Sequence, residues 1–208
     1  DFIGTLERRF YDFASTTTSR QPSDRIAVIA IDDQSIANLG RWPWSRDIHA
    51  KLIDKLAAAK TKTIVYTAFF TEPQVDPGLV FIRKMKAALG STAEPTETND
   101  QLNRLIAEAE TALDTDAILA SSIKNAGNVL LPSVFTLGEP QGKPDNALPG
   151  FALTSAVDDP SNFSLAAVRA QEPIESLGSV AEGVGHLIQF QDVDGAVRQE
   201  PLLVHCYV

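Results

Sequence analysis

Ala27 to Pro73 reads AVIAIDDQSIANLGRWPWSRDIHAKLIDKLAAAKTKTIVYTAFFTEP, and this stretch decides the fold class. Arg25–Ile31 (RIAVIAI) is β-branched and almost continuously apolar, which predicts a strand buried on both faces of a parallel sheet. Asp32–Gly40 follows as a short helical turn, with Ile36 and Leu39 facing inward and Gly40 as its C-cap. Ser45 is placed to cap the next helix, and Asp47 suits its first turn. That helix runs to about Ala59, with Ile48, Leu52, Ile53 and Leu56 as its core face. Thr63–Phe69 (TIVYTAF) is a second β-branched run. Strand, helix and strand in this order make a right-handed βαβ unit. The fold class is therefore α/β, a three-layer sandwich with a parallel βαβ core.

Further elements extend that core. Phe2, Leu6, Phe10 and Phe13 recur at helical spacing, which predicts an amphipathic N-terminal helix over Phe2–Thr17. Leu79–Leu89 reads as a helix, Asp100–Ala112 and Asp114–Asn125 as one interrupted helix or two consecutive ones, and Asn128–Leu131 (NVLL) as a third short strand closed by Pro132. Gly90–Asn99 and Leu137–Gly150 read as loops. Ser176–Glu182 reads as a short helix. Gly185–Phe190 and Val197–Val204 flank Asp194-Gly195, a strong turn dipeptide, and predict a C-terminal antiparallel hairpin. Pro201 puts the last strand at an edge or bulge.

Composition narrows the function classes. In 208 residues, 18 basic against 27 acidic side chains leave a net charge of −9. Nucleic-acid binding needs a basic footprint, so no nucleic-acid partner is expected. Cys206 is the single cysteine, so the fold holds no intrachain disulfide. His49, His186 and His205 lie far apart, and no Cys/His metal pattern exists, so no metal and no cofactor is expected. No run approaches the roughly 18 apolar residues that span a bilayer. The chain starts at Asp1 rather than Met and reads as an excised piece of a longer protein.

Four segments in order carry a family resemblance: AIDDQSIANLGRWPWSRDIHAKLIDKL at Ala30–Leu56, FFTEP at Phe69–Pro73, DTDAILASSIKNAGNVLLP at Asp114–Pro132, and GHLIQFQDVDGAVRQEPLLV at Gly185–Val204. They resemble the CHASE2 domain, an extracytoplasmic sensor domain of bacterial transmembrane receptors. The chain departs from the family where an acidic residue is common at the end of the second strand, here Tyr66-Thr67. It departs again after Glu72-Pro73, where Asp is common and Gln74 stands. The resemblance implies one sensor domain over 1–208, with 1–19 a helix continuing from an upstream transmembrane segment and 74–112 a variable helical insertion. It implies the periplasmic portion of an inner-membrane protein, held by flanking transmembrane helices. The parent would carry a cytoplasmic output module, such as a nucleotide cyclase, a cyclic-dinucleotide enzyme or a protein kinase of a two-component system. This fragment itself would be no enzyme.

Ligands of open α/β sheets bind beyond the carboxyl ends of strands. Asp32, Asp33, Thr67 and Glu72 fall at such ends, and Arg41, Trp42, Trp44 and Arg46 form the adjoining loop. The eight are the candidate ligand-binding set, for a small polar or cationic molecule or for a divalent metal held by the carboxylates. Structural roles compete for each of them. One Asp can cap the Ser35–Leu39 turn, and the other can pair with Arg41 or Arg46. Arg46 can equally pair with Asp47, and an indole can lock helix onto sheet. His49 reads as a buried structural histidine. Asp192-x-Asp194-Gly195 resembles half a calcium loop, but Leu203 stands where the distal Glu belongs, so a plain turn is favoured. No P-loop, GxGxxG, GxSxG or HExxH motif occurs, so no catalytic residue is named. Three readings remain: a sensor for a small molecule or protein signal, acting as a homodimer; a structural dimerisation module without ligand; and a small metal-dependent α/β hydrolase using Asp32, Asp33 and Glu72.

Overall fold

Most elements form where apolar spacing places them, but Arg25–Ile31 forms no strand and only Ile64–Val65 of Thr63–Phe69 does. The structure is a computed structural model that describes residues 2–18, 21–90, 97–139, 142, 147–159 and 164–206. The chain divides into two compact units, Asp1–Trp42 and Pro43–Val208. Residues 140, 141 and 143–146 of the predicted loop at Leu137–Gly150, and residues 91–96 of the one at Gly90–Asn99, lie outside the described residues.

The first unit holds α1 (Phe2–Thr17) and α2 (Asp33–Leu39). α1 is the expected amphipathic helix, and it has no buried residue. α2 starts in a capping box. Asp32 accepts from the Ser35 amide at 2.8 Å, and the Ser35 hydroxyl accepts from the Asp32 amide at 2.8 Å. Gly40 closes the helix at φ 100°, a left-handed position that suits glycine. The predicted strand at Arg25–Ile31 does not form: the segment is irregular, with Ile26 73% and Val28 89% exposed. Apolar residues state a preference for burial, but a strand also needs a hydrogen-bonding partner, and the described residues of this unit include no other strand.

In the second unit α3 (Arg46–Ala58) leads to β1 (Ile64–Val65), then to α4 (Pro77–Gly90), α5 (Glu97–Leu113) and α6 (Thr115–Ala126). β2 (Val129–Leu137), α7 (Gly150–Leu153), β3 (Leu165–Gln171), α8 (Glu175–Gly178) and β4 (Gly183–His186) follow. β5 (Phe190–Gln191), β6 (Val197–Gln199) and β7 (Val204–Cys206) complete it. β2 is the hub of the main sheet. β1 and β4 pair with it in parallel, β3 antiparallel, and β7 parallel to β3. The architecture is thus mixed α/β, with parallel strands at the centre. The third strand is longer than NVLL suggested, because Pro132 lies within β2 instead of ending it.

The core collects one face of each amphipathic element. Ile53 of α3, Leu119 and Ile123 of α6, Val129 and Leu131 of β2, and Leu177 of α8 are at most 2% exposed. Each such side chain is worth about 1.5–3 kcal/mol of burial. Asp114 caps α6, and Gly127 ends it at φ 65°. The C-terminal hairpin forms as expected, β5 against β6 around a turn with Gly195 at φ 80°. Asp192 and Asp194 both receive Arg198 Nη1, at 2.9 and 2.8 Å. The two acids of the calcium-like motif therefore clamp an arginine across a plain turn.

Candidate functional site

The polar centre of the second unit is built at the N-terminus of α3. Ser45 occupies the N-cap position, yet its side chain makes no cap hydrogen bond. Gln74 takes that duty. Its Oε1 accepts from the Arg46 amide at 2.7 Å, from the Thr115 hydroxyl at 3.1 Å and from the Ser45 hydroxyl at 3.3 Å. One amide oxygen so ties the start of α3, the start of α6 and the loop after β1. It also answers part of a helix N-terminus that would otherwise be unsatisfied.

Arg46 completes the joint. Its Nε donates to Asp116 Oδ1 at 3.2 Å, its Nη2 to the Glu72 carbonyl at 3.1 Å, and its guanidinium lies 4.4 Å from the Phe70 ring centre. Asp116 Oδ2 accepts from the Gln74 amide at 2.8 Å. The Arg46 and Asp116 side chains are only 13% and 12% exposed, so this ion pair is largely sheltered from water. The partners expected for Arg46, namely Asp32, Asp33 or Asp47, are corrected to Asp116. Asp47 instead holds Lys51 one turn along at 2.8 Å, which keeps its carboxyl below the usual range.

Behind this pair lies an aromatic cluster. His49 is 2% exposed, and its Nδ1 lies 2.6 Å from the Tyr66 hydroxyl. The phenol is the donor whenever the imidazole carries its proton on Nε2. Phe70 meets the His49 ring edge-on at 5.3 Å, and Trp44, 8% exposed, lies 6.3 Å away. Burial, then the nearby Arg46 charge, push the His49 imidazole below its ordinary value. Burial pushes the Tyr66 phenol up to about 12. Both groups are thus neutral near pH 7, as a dry cluster requires.

A family model described as CHASE2 domain matches residues 2–207, essentially the whole chain. The chain belongs to the CHASE2 family. CHASE2 domains are sensor domains of the extracellular type, not catalytic ones. No curated protein and no solved structure matches this one significantly. Among the described residues, no helix is long and apolar enough to cross a membrane.

The eight predicted residues of this CHASE2 domain divide evenly between the units. Asp32, Asp33, Arg41 and Trp42 belong to the first. There Asp32 is spent on capping, and its bonds from Ser35 hold its carboxyl below the usual range. Asp33 and Arg41 are exposed, and Trp42 is 36% exposed. Trp44, Arg46, Thr67 and Glu72 belong to the second unit. The structure brings Arg46 onto the Glu72 backbone and buries Trp44 in the aromatic cluster, while Thr67 stays exposed. Sequence reasoning missed Asp116 and Gln74 as partners of Arg46. The family departure at Gln74 was the available signal, since a position after Glu72-Pro73 that is commonly acidic marks a polar contact. Among the described residues, no three His, Cys, Asp or Glu side chains converge as metal ligands, so the hydrolase reading has no such cluster behind it.

Proposed function

We propose that this domain is the extracytoplasmic, periplasmic sensing part of a bacterial membrane receptor. In this reading it passes its signal through flanking membrane helices to a cytoplasmic output module, such as a nucleotide cyclase, a cyclic-dinucleotide enzyme or a protein kinase. The observation that carries the reading is the family match over 2–207. The exposed members of the candidate set in the second unit, Thr67 and Glu72, are the groups that would meet a small polar ligand there. Arg46 and Trp44 would act behind them, since both are committed to the joint at α3. A fusion of the chain, in its natural context, to a β-lactamase that works only outside the cytoplasm tests the location. Resistance supports the reading, and sensitivity with full-length fusion present refutes it.

A second reading, self-association, is favoured by α1. Ile3, Leu6, Phe10 and Phe13 follow the alternating three- and four-residue spacing of a coiled-coil seam, and all are at least 52% exposed. A homodimer packed along this seam would let a ligand bias one of two helix arrangements. Sedimentation of the chain beside Leu6→Glu tests it: loss of a dimer in the variant supports the seam, and identical behaviour of the two proteins refutes it.

A further inference from the structure

The main sheet changes partners at one residue. β2 pairs in parallel with β4 up to Ser133 and antiparallel with β3 from Val134 onward. Ser133 is 1% exposed, and its register partner on β4 is His186. One place beyond the Val134–Gln171 pair, Glu172 stands opposite Ser133, and the Ser133 hydroxyl donates to Glu172 Oε2. Residues opposite one another across strands share a face of the sheet. His186, Ser133 and Glu172 therefore form one polar row across three chain segments. Phe135 shares that face two residues on, and it meets the His186 ring edge-on at 6.5 Å.

No arginine or lysine acts on Glu172 among the described residues. Burial raises its carboxyl above the ordinary range, and the bond from Ser133 pulls the other way. The groups that face it are Ser133 from β2 and, beyond Ser133, His186 from β4, while Cys206 of β7 lies within reach of its charge. Burial first, and the Glu172 charge second, push the Cys206 thiol up, so the acid is felt on the last strand. We propose that Glu172 is a proton-binding site at the junction of the parallel and antiparallel halves of the sheet, through which the domain responds to acidity. Glu172 is half-buried, and a carboxyl partly withdrawn from water without a cationic partner is cheaper to keep neutral than charged. The folded chain therefore holds this proton to higher pH than the unfolded chain does. Its contribution to stability is full below the ordinary carboxyl range and is lost as pH rises through the folded value. The response needs no ligand and does not depend on the candidate set above.

Cys206, the single cysteine, is a built-in reporter. The test follows two quantities in the 208-residue chain between pH 4 and 9: the urea midpoint, and the rate of Cys206 alkylation by iodoacetamide. Glu172→Gln is expected to remove a fall in midpoint that wild type shows as pH rises, and to move the alkylation profile to lower pH. Ser133→Ala removes the bond that favours the carboxylate, so it is expected to move the wild-type step to higher pH. It carries the test if the glutamine variant does not fold. Superimposed midpoint profiles of wild type and Glu172→Gln overturn the proposal, as does a Ser133→Ala step displaced to lower pH.

Discussion

Asp116→Ala removes one side of a sheltered ion pair and leaves the other in place. Two hydrogen bonds vanish, from Arg46 Nε at 3.2 Å and from the Gln74 amide at 2.8 Å. Arg46 keeps the Glu72 carbonyl and the Phe70 face but loses its counter-charge. Breaking a buried pair from one side costs about 3–5 kcal/mol. Both side chains retain slight exposure, 13% and 12%, so water offsets part of this and about 2–4 kcal/mol is expected. For a chain of this size about 1 kcal/mol moves the melting point by about 2–4 °C, so the variant should melt about 5–15 °C lower. Urea unfolding followed by tryptophan fluorescence gives the free energy directly. Arg46→Met combined with Asp116→Leu should recover at least half of the loss, because no buried charge is then left over. A single-variant loss below about 0.5 kcal/mol would refute the buried-pair reading, as would a double variant no better than the single.

Three further outcomes follow from the same geometry. His49 has a folded value below its ordinary 6.5, so stability is intact above about 6.5 and falls as pH drops from there toward the folded value. The groups facing it are Arg46, Asp47, Tyr66, Trp44 and Phe70, and His49→Phe should flatten that limb of the urea midpoint against pH. Gly178 is buried, and a methyl group there would come 2.4 Å from the Phe151 ring, so Gly178→Ala should cost about 1–3 kcal/mol in the same assay. Leu119→Ala, at a fully buried position between α6 and the sheet, should cost about 2–5 kcal/mol.

The fold was legible wherever a local rule and a tertiary partner agreed. Asp32, Gly40, Asp114 and Gly127 announce helix ends by residue type alone, and they act there. Asp194-Gly195 announces the hairpin in the same way. RIAVIAI failed because its composition says only that it prefers burial, while pairing depends on another segment. Ser45 failed in part for a related reason. It marks the helix start correctly, but the oxygen that does the capping comes from Gln74, 29 residues on. The site was half legible. Arg46 and Trp44 were singled out as polar and aromatic anchors, yet Asp116 lies 70 residues from Arg46, and no spacing rule reaches that far. Glu172 and Ser133 gave no signal either, because each is ordinary in its own segment and they meet only through the register of β2 and β3.

Sensing is the central claim, and a thermal-shift screen of the 208-residue chain against small metabolites, divalent cations and pH tests it most directly. A ligand that binds only the folded state adds about 2.7 kcal/mol at a hundredfold excess over its dissociation constant. The account predicts a compound that raises the midpoint in wild type and loses that effect in Thr67→Ala or Glu72→Ala, both exposed positions of the second unit. A midpoint that no compound or cation moves at fixed pH would contradict it and leave self-association through α1 as the function.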